Sequence, residues 1–171
     1  MRIDPLTTAN RGFPHGGLAA RTARVPHRGL AERTAPPARA APSYAGSVRY
    51  VVDGMNVIGT RPDGWWRDRD GAMARLVDLL ERFSAAGGDD VTVVFERKPS
   101  PPIISTVIEI AHAPKPGPDA ADDEIVRRLL ADPEPERIRV VTSDRWLADR
   151  VRAVGATVEG ADSFRVQIDN A

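Results

Sequence analysis

The chain contains no cysteine, only three histidines and few aromatic residues, which make up 5% of its 171 residues. The absence of cysteine excludes disulfides, thiolate catalysis and zinc sites with cysteine ligands. No hydrophobic run approaches the roughly 20 residues that a membrane-spanning helix needs, and no signal-peptide core is recognisable. We therefore expect a protein that has no membrane partner and resides in the cytoplasm.

Residues 1–46 differ in composition from the rest of the chain. They contain seven arginines, two acidic residues and no lysine, with repeated proline and glycine and no sustained apolar period. Their formal charge is +5, and that of residues 47–171 is −5. We expect residues 1–46 to be a disordered tail and residues 47–171 to form one domain. An arginine-rich arm either binds RNA phosphates or is an extension without function, and the composition leaves both open.

Residues 47–171 alternate between strand-like and helix-like patterns. Apolar β-branched runs predict five strands, at about 48–52, 91–96, 103–111, 138–142 and 156–159. Apolar side chains at helical spacing predict three helices, at about 68–86, 119–131 and 143–154. Strands that alternate with helices indicate a mostly parallel central sheet covered on both sides, which is a three-layer Rossmann-like α/β fold.

Acidic residues stand at three points where this fold turns from one element to the next. Asp53 follows the first predicted strand, and Asp122 and Asp144 stand at the starts of the second and third predicted helices. Asp122 and Asp144 each precede the buried stripe of their helix by three residues, so both carboxylates should point inward. Loops that follow parallel strands share one edge of the sheet, where ligands bind. We therefore expect the three carboxylates to meet there.

Each of these acidic residues, taken singly, also has a structural explanation as a turn residue or a helix cap. Together, uncompensated carboxylates at one sheet edge would repel one another and raise their pKa values, which a divalent cation would relieve. Oxygen ligands without cysteine or paired histidine favour Mg²⁺ or Mn²⁺ over zinc. The chemistry that follows most directly is metal-assisted hydrolysis of phosphodiester bonds.

Three segments, in this order along the chain, resemble the NYN domain of the YacP-like family, a branch of the PIN-like ribonuclease superfamily. They are VDGMNVIG at 52–59, ADDEI at 121–125 and TSDR at 142–145. The resemblance covers residues 48 to about 168. It implies a PIN-like α/β fold and a metal-dependent endoribonuclease that hydrolyses single-stranded RNA with Mg²⁺ or Mn²⁺. It also makes the ribosome a candidate partner.

The positions within these motifs imply roles for particular residues. The resemblance implies that the catalytic residues are Asp53, Asn56, Asp122, Asp144 and Ser143. It implies that the metal ligands are Asp53, Asp122, Asp144 and Asp123, with Asp119 as a further acid nearby.

Two positions depart from the family pattern. Glu96 stands where relatives tend to have aspartate, and Trp146 stands where many PIN domains have an acid two residues beyond the one that matches Asp144. Candidate substitutes around a second ion are Glu96, Asp123 and Asp162.

Basic and aromatic residues near the same edge are candidates for RNA binding. Arginine and lysine contact phosphates, and tryptophan stacks on bases. The predicted substrate-binding residues are Arg61, Lys98, Arg145 and Trp66.

Two other functions compete with a nuclease. A catalytically weak RNA-binding or ribosome-associated PIN-like module would keep the fold, but it would gain nothing from three acids that face phosphates. A nucleotide-binding or phosphatase domain of Rossmann type would need a glycine-rich phosphate loop, or a second aspartate two residues after Asp53, and the sequence has neither.

Overall fold

The structure is a computed structural model that describes residues 47–171, and the predicted disordered tail lies outside these residues. The strands are β1 (Arg49–Asp53), β2 (Asp90–Phe95), β3 (Glu109–His112), β4 (Ile138–Val141) and β5 (Thr157–Glu159). The helices are α1 (Gly54–Gly59), α2 (Arg69–Gly87), α3 (Ala120–Ala131), α4 (Arg145–Val154) and α5 (Ala161–Asp169). Short 3-10 turns span Trp65–Arg67 and Pro135–Arg137. No helix within residues 47–171 is long and apolar enough to cross a membrane.

The five strands form one sheet in the order β3-β2-β1-β4-β5, and every pairing is parallel. The predicted α/β fold is therefore confirmed. The chain builds β2 and β3 on one side of β1 and then crosses to place β4 and β5 on the other side. In an open parallel sheet, such a change of direction leaves a crevice at the carboxyl ends of the two strands beside it, here β1 and β4.

Side chains along β1 point alternately to the two faces of the sheet, and this alternation determines which helices Asp53 faces. Tyr50 and Val52 pack into a core formed with α1, α2 and α5 on one side of the sheet. Val51 packs into a second core formed with α3 and α4 on the other side. Side chains two residues apart point to the same face of a strand, so Asp53 lies on the face of Val51. It therefore points towards α3 and α4.

A glycine directly after Asp53 lets the first turn of α1 pass close to the end of β2. An ideal Cβ at Gly54 would lie 2.4 Å from Cε1 of the Phe95 side chain, so no larger residue fits without moving that ring. Gly155 ends α4 with a φ of 100°, a left-handed conformation that glycine adopts without strain. The two glycines thus fix the start of α1 and the end of α4.

The predicted third strand was too long. The structure pairs only Glu109–His112 with β2, whereas the sequence pattern predicted residues 103–111. A side-chain turn interrupts the run, because Oγ of Ser105 accepts hydrogen bonds from the backbone N–H groups of Val107 and Ile108 at 3.1 and 3.0 Å. A serine hydroxyl that bonds nearby backbone in this way competes with strand pairing.

Two short helices were missed. The segment of α1 is short and bounded by glycines, so its pattern predicts no helix, yet burial of Val57 and Ile58 holds it as one. In α5 the buried residues Ala161, Phe164 and Ile168 do follow helical spacing, so this signal was present in the sequence.

Candidate active site

A cleft of about 290 Å³ opens at the carboxyl end of β1, between the first residues of α1, α3 and α4. Five acidic side chains line it. They are Asp53, Glu96, Asp119, Asp122 and Asp144. The parallel sheet thus brings the three predicted aspartates into one cleft, together with two further acids that stood as candidates.

Asp53 is the most enclosed of these acids, with 5% of its surface exposed. Its carboxylate accepts hydrogen bonds from the backbone N–H of Asn56 at 3.1 Å and from Oγ1 of Thr142 at 3.3 Å. Burial raises the pKa of Asp53 to about 6, and repulsion from Glu96 and Asp144 adds to the rise, although the two hydrogen bonds oppose it. A buried carboxylate with this pKa has too little compensating charge around it.

Asp122 stands in the first turn of α3 and is half-buried. Burial raises its pKa to about 7, and the carboxylates of Asp53, Asp144 and Asp119 raise it further, while Arg150 opposes the rise. Burial and neighbouring charge therefore disfavour the ionised form of this side chain near neutral pH. A divalent cation in the cleft would favour the ionised form of Asp122.

The loop between β4 and α4 positions Asp144 through a threonine that the sequence analysis did not single out. Oδ1 of Asp144 caps α4 by accepting a hydrogen bond from the N–H of Leu147 at 2.9 Å. Oγ1 of Thr142 accepts from the N–H of Asp144 at 3.1 Å and donates to Oδ2 of Asp53 at 3.3 Å. Thr142 is only 2% exposed, so its hydroxyl holds two of the carboxylate-bearing segments together. The sequence signal that identifies Thr142 is a hydroxyl residue placed between a buried strand and an acidic residue.

Asn56 and Ser143 make the next set of links. Oδ1 of Asn56 accepts a hydrogen bond from the backbone N–H of Ser143 at 2.8 Å. Oγ of Ser143 accepts one from the backbone N–H of Ala161 at 3.0 Å, at the start of α5. In the metal-free structure, both side chains therefore act as positioning residues that join α1, the loop before α4, and α5.

Replacing Asn56 with alanine should slow the RNA cleavage that the sequence resemblance implies, without unfolding the domain. The variant loses the acceptor for the N–H of Ser143, so the loop that carries Asp144 is held less firmly, at a cost of about 1 kcal/mol in stability. Urea denaturation and the cleavage rate measure the two effects. Asn170→Ala is the matched control, because among residues 47–171 the Asn170 side chain bonds only the carbonyl of Val166, at the end of α5. Equal cleavage rates for the two variants would show that Asn56 serves only as a turn residue.

Arg69 is a cleft residue that the sequence analysis did not propose. Its guanidinium forms an ion pair with Glu96 at 3.1 Å and lies 5.8 Å from the centre of the Trp65 ring. Asp119, an acid of the same cleft lining, is the residue before α3 and has a left-handed backbone conformation with a φ of 57°. Arg69 thus supplies one positive charge on the rim of an otherwise acidic cleft.

Other predicted ligands and contacts lie outside the cleft lining. The carboxylate of Asp123 is exposed and pairs with Arg150 at 2.9 Å. Arg61 pairs with Asp169 of α5, and Asp162 is exposed in the first turn of the same helix. The topology therefore does not group these side chains with Asp53.

The remaining predicted RNA contacts are exposed around the cleft. Lys98 and Arg145 are exposed, and neither forms an ion pair with any residue of 47–171. Trp66 is 54% exposed, and its ring packs edge-to-face on Trp65 with 6.0 Å between ring centres. Trp65 itself lines the cleft.

The acidic cleft has the donor chemistry that a hard divalent cation requires. It offers carboxylate oxygens and no histidine or cysteine, which suits Mg²⁺ or Mn²⁺. Burial, followed by repulsion among the acids, raises the pKa values of Asp53 and Asp122. Within residues 47–171, no three acidic or histidine side chains are already drawn together as a ligand group.

A parallel sheet in this strand order, with acids at the carboxyl ends of its central strands, agrees with a PIN-like α/β fold. Residues 50–171 match the family described as the YacP-like NYN domain. The chain belongs to this family.

Comparisons with individual proteins agree with the family match. UPF0178 proteins from strains of Xanthomonas oryzae pv. oryzae are 39% identical to this chain over 100 residues. That match spans 58% of this chain and 58% of the length of those relatives. Two crystal structures of Rae1 (YacP) from Bacillus subtilis, one of them of a mutant, superpose with TM-scores of 0.61 and 0.60 at 21% identity. They cover 72% and 71% of this chain and 76% and 74% of theirs, and show that the fold is shared.

Proposed function

We propose that this protein is a metal-dependent endoribonuclease that hydrolyses phosphodiester bonds in single-stranded RNA. One observation carries the proposal: Asp53, Asp122 and Asp144 lie in one cleft, and the pKa values of the first two are raised by burial and by neighbouring acids. Membership of the YacP-like NYN family supports a nuclease-type function related to RNA. A pure binding surface for RNA would place cations there, because phosphates repel carboxylates.

The three aspartates are the residues that would hold Mg²⁺ or Mn²⁺. When bound, such an ion activates a water molecule and stabilises the departing oxygen of the phosphodiester. Thr142 fixes Asp53 relative to Asp144, and Asn56 fixes the loop before α4, so both keep the ligands aligned. Alignment of this kind determines how much of the rate enhancement is realised.

Glu96 is the residue that we propose as the additional acid around a second ion. It lines the cleft, and its charge raises the pKa of Asp53. Asp123 and Asp162 were the alternatives, but neither lines the cleft. Oε2 of Glu96 pairs with Arg69 at 3.1 Å, and a carboxylate has a second oxygen that can coordinate a metal.

Exposed cations and rings around the cleft provide the contacts for an RNA strand. Lys98 and Arg145 have no acidic partner within residues 47–171, so they can bind phosphates without first breaking an ion pair. Trp66 offers an exposed ring for stacking on a base. Bases are free to stack in this way only when they are unpaired, which favours single-stranded RNA. A ribosomal partner and a cytoplasmic location stay predictions.

Cleavage of a fluorescent single-stranded RNA tests this function directly. We expect the full-length protein to cut an internal bond with Mg²⁺ or Mn²⁺, to stop in EDTA, and to leave a duplex of the same sequence intact. Binding without cleavage under every metal condition would instead identify a catalytically weak RNA-binding module. Cleavage that persists in EDTA would reject the metal mechanism.

A further inference from the structure

Trp146 is an exposed tryptophan that closely follows Asp144, a residue of the acidic cleft, along the chain. It lies in the first turn of α4, two residues after Asp144, and is 55% exposed. The helix buries Leu147 and Ala148 against the sheet instead. Packing of the core therefore does not account for the indole.

An arginine one turn further along α4 holds the indole in place. The guanidinium carbon of Arg150 lies 4.2 Å from the centre of the Trp146 ring, which is a close cation–π contact. The same guanidinium bonds Oδ1 of Asp123 at 2.9 Å, in the first turn of α3. Its charge also lowers the pKa of Asp122, so it stands within electrostatic reach of the cleft. One face of the ring is thus held by Arg150, whose charge reaches Asp122 of the cleft.

We infer that Trp146 is a stacking platform for one unpaired base of an RNA strand bound in the cleft. The inference rests on the proposed function for the class of substrate. Arg150 covers one face of the indole, and the exposure of the side chain leaves surface on which a flat base can stack. Arg145, exposed and without an acidic partner in residues 47–171, is adjacent in sequence and can bind the neighbouring phosphate.

The surroundings of Trp146 favour a nucleic-acid base over a protein partner. A protein docking site normally presents a contiguous apolar patch. The exposed neighbours of Trp146 along α4 are Arg145 and Asp149, and its ring contact is Arg150. A single rigid aromatic ring among arginines is instead the combination that sequence-tolerant binders of single strands use. Trp66, 54% exposed beside the cleft-lining Trp65, offers a second ring at the same cleft.

The inference is tested by measuring binding rather than cleavage, in a double-mutant cycle. The cycle removes the Trp146 ring, one base of the RNA, or both. The full chain carrying Asp122→Asn is titrated, with Mg²⁺ present, into a labelled short oligoadenylate RNA. A set of oligomers, each with one abasic position, follows. We expect one abasic position to weaken binding roughly tenfold to hundredfold, the range that stacking on one ring represents. With Trp146→Ala added, binding of the intact oligomer should fall by a similar factor, and that abasic position should no longer matter.

Matched variants separate stacking from structural effects. Trp146→Phe should retain most of the affinity, because it keeps an aromatic face. Leu130→Ala should change nothing, since Leu130 is 69% exposed near the end of α3. The inference would be overturned if binding were equally sensitive to every abasic position, both before and after Trp146→Ala. It would also be overturned if Trp146→Ala left the affinity for the intact oligomer unchanged, or if the protein bound no oligomer.

Failure of the inference is distinguishable from failure of the proposed function. Cleavage by the wild-type protein reports on the aspartates, and the abasic scan reports on Trp146. Base-dependent binding through Trp146 without any wild-type cleavage would uphold the platform and reject the nuclease. Metal-dependent cleavage with no role for Trp146 would do the reverse.

Discussion

Asp122→Asn is expected to lower cleavage of single-stranded RNA by about a hundredfold or more while the protein stays folded. Asparagine nearly keeps the shape of aspartate but removes the charge and a strong oxygen ligand for Mg²⁺ or Mn²⁺. Among the acids of the cleft, Asp122 is the one whose ionised form is disfavoured most clearly, since burial and three other carboxylates raise its pKa to about 7. Removing its charge therefore relieves repulsion, and the metal-free variant should be at least as stable as the wild type.

Asp123→Asn is the matched control for this experiment. The two residues are adjacent in the first turn of α3, yet Asp123 is exposed and paired with Arg150, whereas Asp122 lines the cleft. We expect Asp123→Asn to cleave at nearly the wild-type rate. Asp53→Asn and Asp144→Asn should behave as Asp122→Asn does, because the three carboxylates are proposed to share one ion. Wild-type activity in Asp122→Asn, with normal folding shown by circular dichroism, would falsify the shared metal site.

Without divalent cations, the free energy of unfolding should fall as the pH rises from about 4 to about 8. The carboxylate of Asp53 has a pKa of about 6 in the folded protein against 3.8 as its ordinary value. Between these values the folded state binds more protons than the unfolded state, so each rise in pH costs stability. The loss is complete above the folded-state pKa. For the nearly buried Asp53 it amounts to at most about 3 kcal/mol.

Asp122 contributes in the same direction over a range that extends to about pH 7, although water screens this half-buried side chain more. Urea denaturation at about pH 5 and about pH 8, in EDTA, measures the combined effect. Adding Mg²⁺ at pH 8 should restore stability, by about 2.7 kcal/mol when the ion is at a hundred times its dissociation constant. The pH dependence should flatten in Asp53→Asn. A wild-type protein whose stability neither falls with pH nor responds to Mg²⁺ or Mn²⁺ would contradict the proposed cation site.

The acids that meet in the cleft were predictable because their motifs are local. Asp53 ends an apolar run, and Asp122 and Asp144 each precede a helical stripe, so their positions relative to strands and helices follow from nearby residues. The parallel sheet then brings such positions together as a consequence of topology. Asp123 illustrates the limit of this reasoning. It is adjacent to Asp122, but one step along a helix rotates the side chain by about 100° out of the cleft.

The missed contributors share a different origin. Thr142 and Arg69 matter because of residues far along the chain, Asp53 for the first and Glu96 for the second. A hydroxyl between a strand and an acid marks Thr142 as a candidate, but no local pattern encodes which distant residue either side chain contacts. The over-long third strand has a related cause, since the turn formed by the Ser105 hydroxyl competes with an apolar run that otherwise predicts a strand.

Local residue patterns are enough to establish the α/β fold class, the family and the acids that stand at strand and helix ends. These properties depend on the periodicity of apolar residues and on short motifs, which act over a few neighbouring positions. The packed fold is needed to separate the acids that line the cleft from those that do not, and to show how strongly they repel one another and which polar residues hold them. Burial and charge–charge distances set these quantities, and both arise when β1, β4 and the helices over them pack together.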